Sequence, residues 1–307
     1  MKRLAITGIT GKNGKFLFQK MLSNEKEILK EFPDGFKFCV RNQSRASFVK
    51  YTELEDKVIF VNGDTENKNV TDELLKDCSA VLHIAGIRTS INIMLSAVKH
   101  NVKRVILVHT TGIYSKYKEA GEEYRNIEAK VYEIAKENNI NLTILRPTMI
   151  YGTVKDRNIC TFIKMVDKLP FLPMVNGGHY ELQPVHCADL GNAFYQVLIN
   201  AEVCNNKDYI LSGGAPIELR EIFVQISKNL GVQKQFISCP YPIAYAGAWT
   251  LYLLSFTKID FREKVQRLCE PRTFNYDDAR RDFGYSPRTF QEGIVQEVKD
   301  YLNGKNQ

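Results

Sequence analysis

A chain of 307 residues with 44% apolar residues can bury a sizeable interior, as one large domain or as two that share a core. Its formal net charge of +7 comes from Lys and Arg mixed with Asp and Glu, without the long single-sign blocks of a nucleic-acid-binding protein, so small anionic molecules are the expected partners and nucleic acid is not. Seven cysteines stand singly, with no CxxC pair and no His at metal-ligand spacing, which points to a reducing cytoplasm and to no metal.

The opening "MKRLAITG" turns from apolar to Thr-Gly after a few residues, without a signal peptide's apolar run, and reads as a first strand. The runs "RLAIT", "FKFCV", "KVIFV", "AVLHIA", "RVILVHT" and "NLTILRP" alternate with helix-forming segments at 13–31, 70–77, 89–101 and 121–138. Buried parallel strands joined by crossover helices predict an α/β protein, a Rossmann-type doubly wound parallel sheet, over residues 1–150. After Arg146-Pro147, Pro and Gly become frequent and helices are expected near 217–230, 242–257 and 289–303. Residues 151–307 are therefore read as a smaller, mostly helical substrate lobe, with a segment near 180–212 returning to the first sheet through "KDYILS".

Gly8, Gly11 and Gly14 follow the first strand directly and open a helix. Glycines so placed permit a tight turn and close backbone approach to a pyrophosphate, which then sits on the helix N-terminus. At the end of the second strand "CVRNQSR" offers Arg41 and Arg45 where a carboxylate would favour NAD, so NADP(H) is expected and NAD(H) is the alternative.

TGxxGxxG at 7–14 resembles the fingerprint of the extended short-chain dehydrogenase/reductases, the NAD-dependent epimerase/dehydratase group. "VNGDTEN", "HIAG", "HTTGIYS" and "LRPTMIYG" fall at the family's strand ends, and "LQPVHCADL" and "DFGYSPRTFQEGI" resemble its second-lobe and closing segments. The resemblance implies that the dinucleotide meets Gly8, Thr10, Gly11, Asn13, Gly14, Ala85, Gly86, Pro147 and Thr148, and that Asp64 hydrogen-bonds the adenine.

The family's YxxxK, in which the lysine binds the nicotinamide ribose and lowers the tyrosine pKa, reads here as Tyr124-Arg-Asn-Ile-Glu128. Tyr132 with Lys136 is set aside as a packing pair, being about 12 Å farther along the helix axis. The expected catalytic set is Thr110, Tyr124 and Glu128, with a loop cation such as Arg88, Lys116 or Lys118 as a substitute for the lysine.

In the second lobe, the resemblance places Gln183 and His186 at the mouth of a substrate cleft. Arg262, Arg267 and Arg272 in "FREKVQRLCEPR" could clamp a diphosphate, because guanidinium groups bind phosphate in bidentate fashion. The resulting expectation is an NADP(H)-dependent epimerase or reductase of a nucleotide-linked sugar. The alternative is a catalytically silent NADP-binding regulatory or assembly protein. The uncharged run 236–257 is shorter, after Pro240 and Pro242, than a bilayer requires, so a helix from Ile243 is expected to pack against the lobe. A peripheral contact of 243–257 with the inner face of a membrane and a homodimer remain open alternatives.

Overall fold

In the computed structural model, which describes residues 1–117, 119–258 and 260–305, the six apolar runs are strands. They are β1 (Leu4–Thr7), β2 (Phe36–Val40), β3 (Val58–Asn62), β4 (Ala80–His83), β5 (Arg104–Val108) and β6 (Asn141–Pro147). Between them run α1 (Lys12–Ser23), α2 (Glu25–Glu31), α3 (Lys68–Leu75), α4 (Ser90–Lys99) and α5 (Gly121–Glu137). Asn24, with φ −129°, breaks the single helix expected over 13–31 into two.

The second half contributes β7 (Ile150–Tyr151), α6 (Ile159–Lys168), β8 (Phe171–Val175), β9 (Glu181–Leu182), β10 (Val185–His186), α7 (Cys187–Ile199), α8 (Ala201–Cys204) and β11 (Asp208–Leu211). It continues with β12 (Ile217–Glu218), α9 (Leu219–Leu230), β13 (Gln235–Cys239), α10 (Tyr241–Leu254), α11 (Arg262–Leu268), α12 (Asp277–Phe283) and α13 (Phe290–Lys305).

Seven strands form one parallel sheet in the order β11-β6-β5-β4-β1-β2-β3. β1, β2, β4 and β5 are buried at every position, as strands covered by helices on both faces must be, whereas the edge strand β3 is mostly open. Leu17, Phe18, Phe194 and Leu198 fill one side of the sheet and Leu74, Ile93, Met94 and Val131 the other. α1 and α7 touch through their backbones at Gly191, where an added Cβ would lie 2.6 Å from the Cβ of Phe16.

The strand order reverses between β1 and β4, and in such sheets ligands lie beyond the carboxyl ends of the strands at that point. A third apolar cluster, built from α6, β8, α9 and α13, holds the second half together. α10 departs from expectation. Ala248 is its sole buried residue, and Ile243, Leu253 and Leu254 are 64%, 64% and 75% exposed.

Candidate dinucleotide and substrate site

The turn after β1 is shaped by two glycines for different reasons. Gly8 has φ +74°, a left-handed conformation that disfavours any side chain. Gly14 is needed for space, since a Cβ there would stand 2.4 Å from the Gly8 carbonyl oxygen. No side chain caps α1, so its first amides open onto a cavity of about 570 Å³. Gly8, Thr10, Gly11, Asn13 and Gly14 line this cavity, with Ala85 and Gly86 opposite and Arg41, Arg45 and Asp64 at one end. Asn13 Oδ1 is buried without a partner. An uncapped helix N-terminus and a glycine cradle fit a dinucleotide pyrophosphate, which carries acceptors only, while the unmet Asn13 oxygen fits a donor such as a ribose hydroxyl.

His83 fixes the far wall. Burial pushes its pKa down to about 4, so the ring is neutral at ordinary pH. Its Nε2–H donates to the Gly86 carbonyl at 2.8 Å, which leaves Nδ1 to accept from the Thr7 hydroxyl at 2.7 Å. Thr7 Oγ1 in turn accepts the amides of Ile84 and Ala85. At the other end, Arg41 follows β2 directly and approaches Asp64 at 3.6 Å.

Tyr124, in the first turn of α5, also lines this cavity, and the Arg88 guanidinium lies 5.4 Å from its ring centre. Arg88 is held there by a bidentate pair with Glu123 at 2.7 and 2.8 Å. Lys118 lies outside the described residues.

Glu128 does not join Tyr124. One turn farther down the axis its side chain passes beneath the ends of β5 and β6, and it lines neither main cavity. Its carboxylate accepts from His109 Nδ1 at 2.9 Å and from Arg146 Nη2 and Nε at 2.7 and 3.1 Å. Burial pushes the Glu128 carboxyl up, but these bonds outweigh it and hold the group below its ordinary range. Arg146 continues the network to Asp208 and to the Tyr132 hydroxyl, neither of which lines either cavity. Ser90 bonds His109 Nε2 at 3.0 Å, so Ser90, His109 and Glu128 have the connectivity of a hydrolase relay. All three are buried and line neither cavity, so the set is a brace rather than a nucleophile.

A second cavity of about 630 Å³ meets the first at Lys12, which lines both. Thr110 stands on its wall at the end of β5. Its Oγ1 accepts the Gly112 amide at 3.0 Å, leaving the hydroxyl proton for a substrate oxygen. Cations dominate the lining: Lys12, Lys155, Arg157, Arg267 and Arg272. The Nε atoms of Arg267 and Arg272 are buried without partners, and burial together with the charge of Arg267 pushes Arg272 down to about 10. Arg262 is diverted, paired with Asp260 and stacked on Trp249 and Tyr252.

Three further expectations are revised. Pro147 lines neither cavity, and Thr148 lines the second rather than the first, its hydroxyl donating to the Gln183 carbonyl. Gln183 reaches the second cavity, but both ends of its amide are spent on the Gly213 carbonyl and the Phe274 amide. His186 faces no cavity: it caps α7 through the Ala188 amide and packs on Tyr151 and Phe16. Burial lowers its pKa to about 4, consistent with a neutral capping ring.

Beneath the second cavity lies a carboxyl pair that sequence spacing could not bring together. Asp156, from the loop after β7, and Glu297, from α13, are both buried, and Asp156 Oδ2 and Glu297 Oε1 lack any donor. A proton on Glu297 joins the two groups in one hydrogen bond. Burial first, and then Asp156, push Glu297 up to about 9. The other Glu297 oxygen accepts the Gly152 amide at 2.8 Å and so pins the loop.

A family model described as NAD(P)H-binding matches residues 8–163, and the chain belongs to that family. Among curated relatives, the chain is 23% identical to a 2-alkyl-3-oxoalkanoate reductase of Stenotrophomonas maltophilia (strain K279a), over 69% of this chain and 72% of that protein. It is 20% identical to a UDP-glucose 4-epimerase of Vibrio cholerae, over 99% and 97% of the two chains. A UDP-glucuronic acid 4-epimerase of Bacillus cereus, solved with UDP-glucuronic acid and NAD, superimposes with a TM-score of 0.74 at 15% identity, covering 99% of each chain. The resemblance to the epimerase/dehydratase group holds for the fold and for the NAD(P)-binding domain.

Proposed function

We propose that the chain is an NADP(H)-dependent epimerase or reductase of a nucleotide-linked sugar, with residues 1–150 receiving the dinucleotide and the lobe 151–307 the sugar nucleotide. The carrying observation is the cation-lined second cavity, in which two arginines present buried, partnerless Nε–H groups beside the cavity lined by the glycine loop. A diphosphate supplies the acceptors those groups lack. A sugar nucleotide also agrees with the solved structure of similar fold that holds UDP-glucuronic acid and NAD.

NADP(H), when bound, would supply or take up a hydride. The chain's own residues then have three tasks. The uncapped start of α1 holds the pyrophosphate, Asn13 Oδ1 accepts from a ribose hydroxyl, and Arg41 and Arg45 meet the 2′-phosphate. Thr110 donates its hydroxyl proton to the reacting oxygen. Tyr124, with Arg88 over its ring in place of the family lysine, donates to or accepts from the same oxygen.

Incubation of the purified protein with NADPH and a panel of 4-keto nucleotide sugars tests this reading, with consumption of at least one sugar expected. A second reading, a catalytically silent NADP-binding protein, is favoured by one observation: the residue at the lysine position, Glu128, is turned into the buried brace. Tight NADPH binding with no turnover across the panel would select it.

Cofactor choice is tested separately. Replacing Arg41 and Arg45 by Ala should weaken NADPH binding by roughly 2 kcal/mol while sparing NADH, since only charge-assisted bonds to the 2′-phosphate are lost. Equal affinity of the native protein for both dinucleotides would contradict the assignment.

A further inference from the structure

An ordinary surface helix turns its polar side outward. α10 does the opposite. At about 100° per residue, Trp249, Leu253, Ile243, Leu254 and Leu251 spread over an outward arc of about 200°. All five are exposed. Thr250 falls within that arc, and its hydroxyl is returned to the Ala246 carbonyl at 2.9 Å. Ala248 and the half-buried Tyr241, Tyr245 and Tyr252 form the inner side. The chain then turns at Phe256 and Thr257, both at positive φ, and leaves Phe256 84% exposed.

Charge is distributed with the same asymmetry. Residues 236–257 contain no acidic or basic residue, while the segment that follows holds Lys258 and Lys264 exposed and lays the Arg262 guanidinium over the Trp249 ring. The nearby acids are engaged: Asp260 with Arg262, and Glu263 with Arg267. The fourteen residues of α10 make a helix about 21 Å long, short of the roughly 30 Å hydrocarbon core, and no described helix is long and apolar enough to cross a membrane.

We propose that α10 and the turn after it lie in the interface of an anionic phospholipid bilayer, with the outward arc among the acyl chains and Lys258 and Lys264 at the headgroups. A single partner helix covers a stripe roughly 100° wide, half of what is open here. A bilayer surface covers the whole arc, and a tryptophan among leucines with lysines beside them is a composition such a surface accepts. α11, which follows, carries Arg267 to the lining of the second cavity. The inference does not rest on the proposed reaction, because binding is read without substrate or dinucleotide.

The chain's single tryptophan, Trp249, sits on the arc and reports directly. With vesicles of phosphatidylglycerol and phosphatidylcholine in equal parts, the full chain should co-float and its tryptophan emission should shift to the blue. With phosphatidylcholine alone, binding should be much weaker. Leu253→Glu with Leu254→Glu, at exposed positions that leave the fold intact, should abolish both signals. Lys258→Glu with Lys264→Glu should lower partitioning by at least about tenfold and remove its salt dependence. The proposal is overturned if the native protein stays unbound with unshifted emission on both vesicle types. It is equally overturned if the native protein is a dimer that the Leu253/Leu254 pair converts to a monomer, because a second copy then covers the arc.

Discussion

Glu128 illustrates how one residue's position decides between catalysis and structure. Its neighbours in sequence are those of a catalytic helix, but its partners His109, just after β5, and Arg146, in β6, lie nineteen and eighteen residues away, a pairing no local spacing displays. Glu128→Lys would place an ammonium against the Arg146 guanidinium in a buried site, and the variant should not accumulate as folded protein. The milder Glu128→Gln should lower the unfolding free energy by about 3 kcal/mol in urea titrations, since it leaves Arg146 under-compensated. An unchanged urea midpoint would show that the brace contributes nothing. Because the Glu128 carboxyl is depressed, its contribution is present above the ordinary value of 4.5 and disappears as pH falls through the lower folded value.

Glu297 has the opposite sign. Between its ordinary 4.5 and about 9 the folded protein keeps a proton that the unfolded chain releases, so stability declines as pH rises through that window. The slope should approach 1.4 kcal/mol per pH unit at most, about one proton's worth. Glu297→Gln should flatten it while keeping the bond to the Gly152 amide. Parallel pH–stability curves for the two proteins would refute the shared proton.

At the scale of elements, the strand runs inside the sheet were readable because burial on both faces of a parallel sheet forces continuous apolar residues, a pattern few other settings require, and the edge strand β3 kept the same composition although it is mostly open. The glycine loop was equally legible: ten of the expected dinucleotide residues, from Gly8 to Gly86, line one cavity. α10 was misread. Lack of charge signals removal from water but does not say whether protein or something else does the covering, and the loose 236–257 run gave no period to decide it. His186 was ambiguous for a related reason, since a histidine before a helix can cap it or face a cleft, and its bond to the Ala188 amide and the packing of Gly152 against the ring are not visible in the sequence. The α1–α7 contact yields a further test. Gly191→Ala drives a methyl into Phe16 and the Leu17 amide and should cost about 1 to 3 kcal/mol, measured by urea unfolding. No loss would mean the two helices can separate without penalty.

Across the whole molecule, the two cavities are assembled from very different stretches of chain. The first takes its lining from residues 7 to 124. The second depends on distant pieces: Arg267 and Arg272 line it, and the loop bearing Asp156 is held by Glu297 of α13. Gly293 secures that helix, because any side chain there would collide with the Tyr151 hydroxyl. During synthesis, the segment that forms the glycine-loop cavity therefore leaves the ribosome well before the helix that steadies the cationic one. A chain made only as far as α5 already holds every residue that lines the first cavity and still lacks Arg267 and Arg272, which line the second.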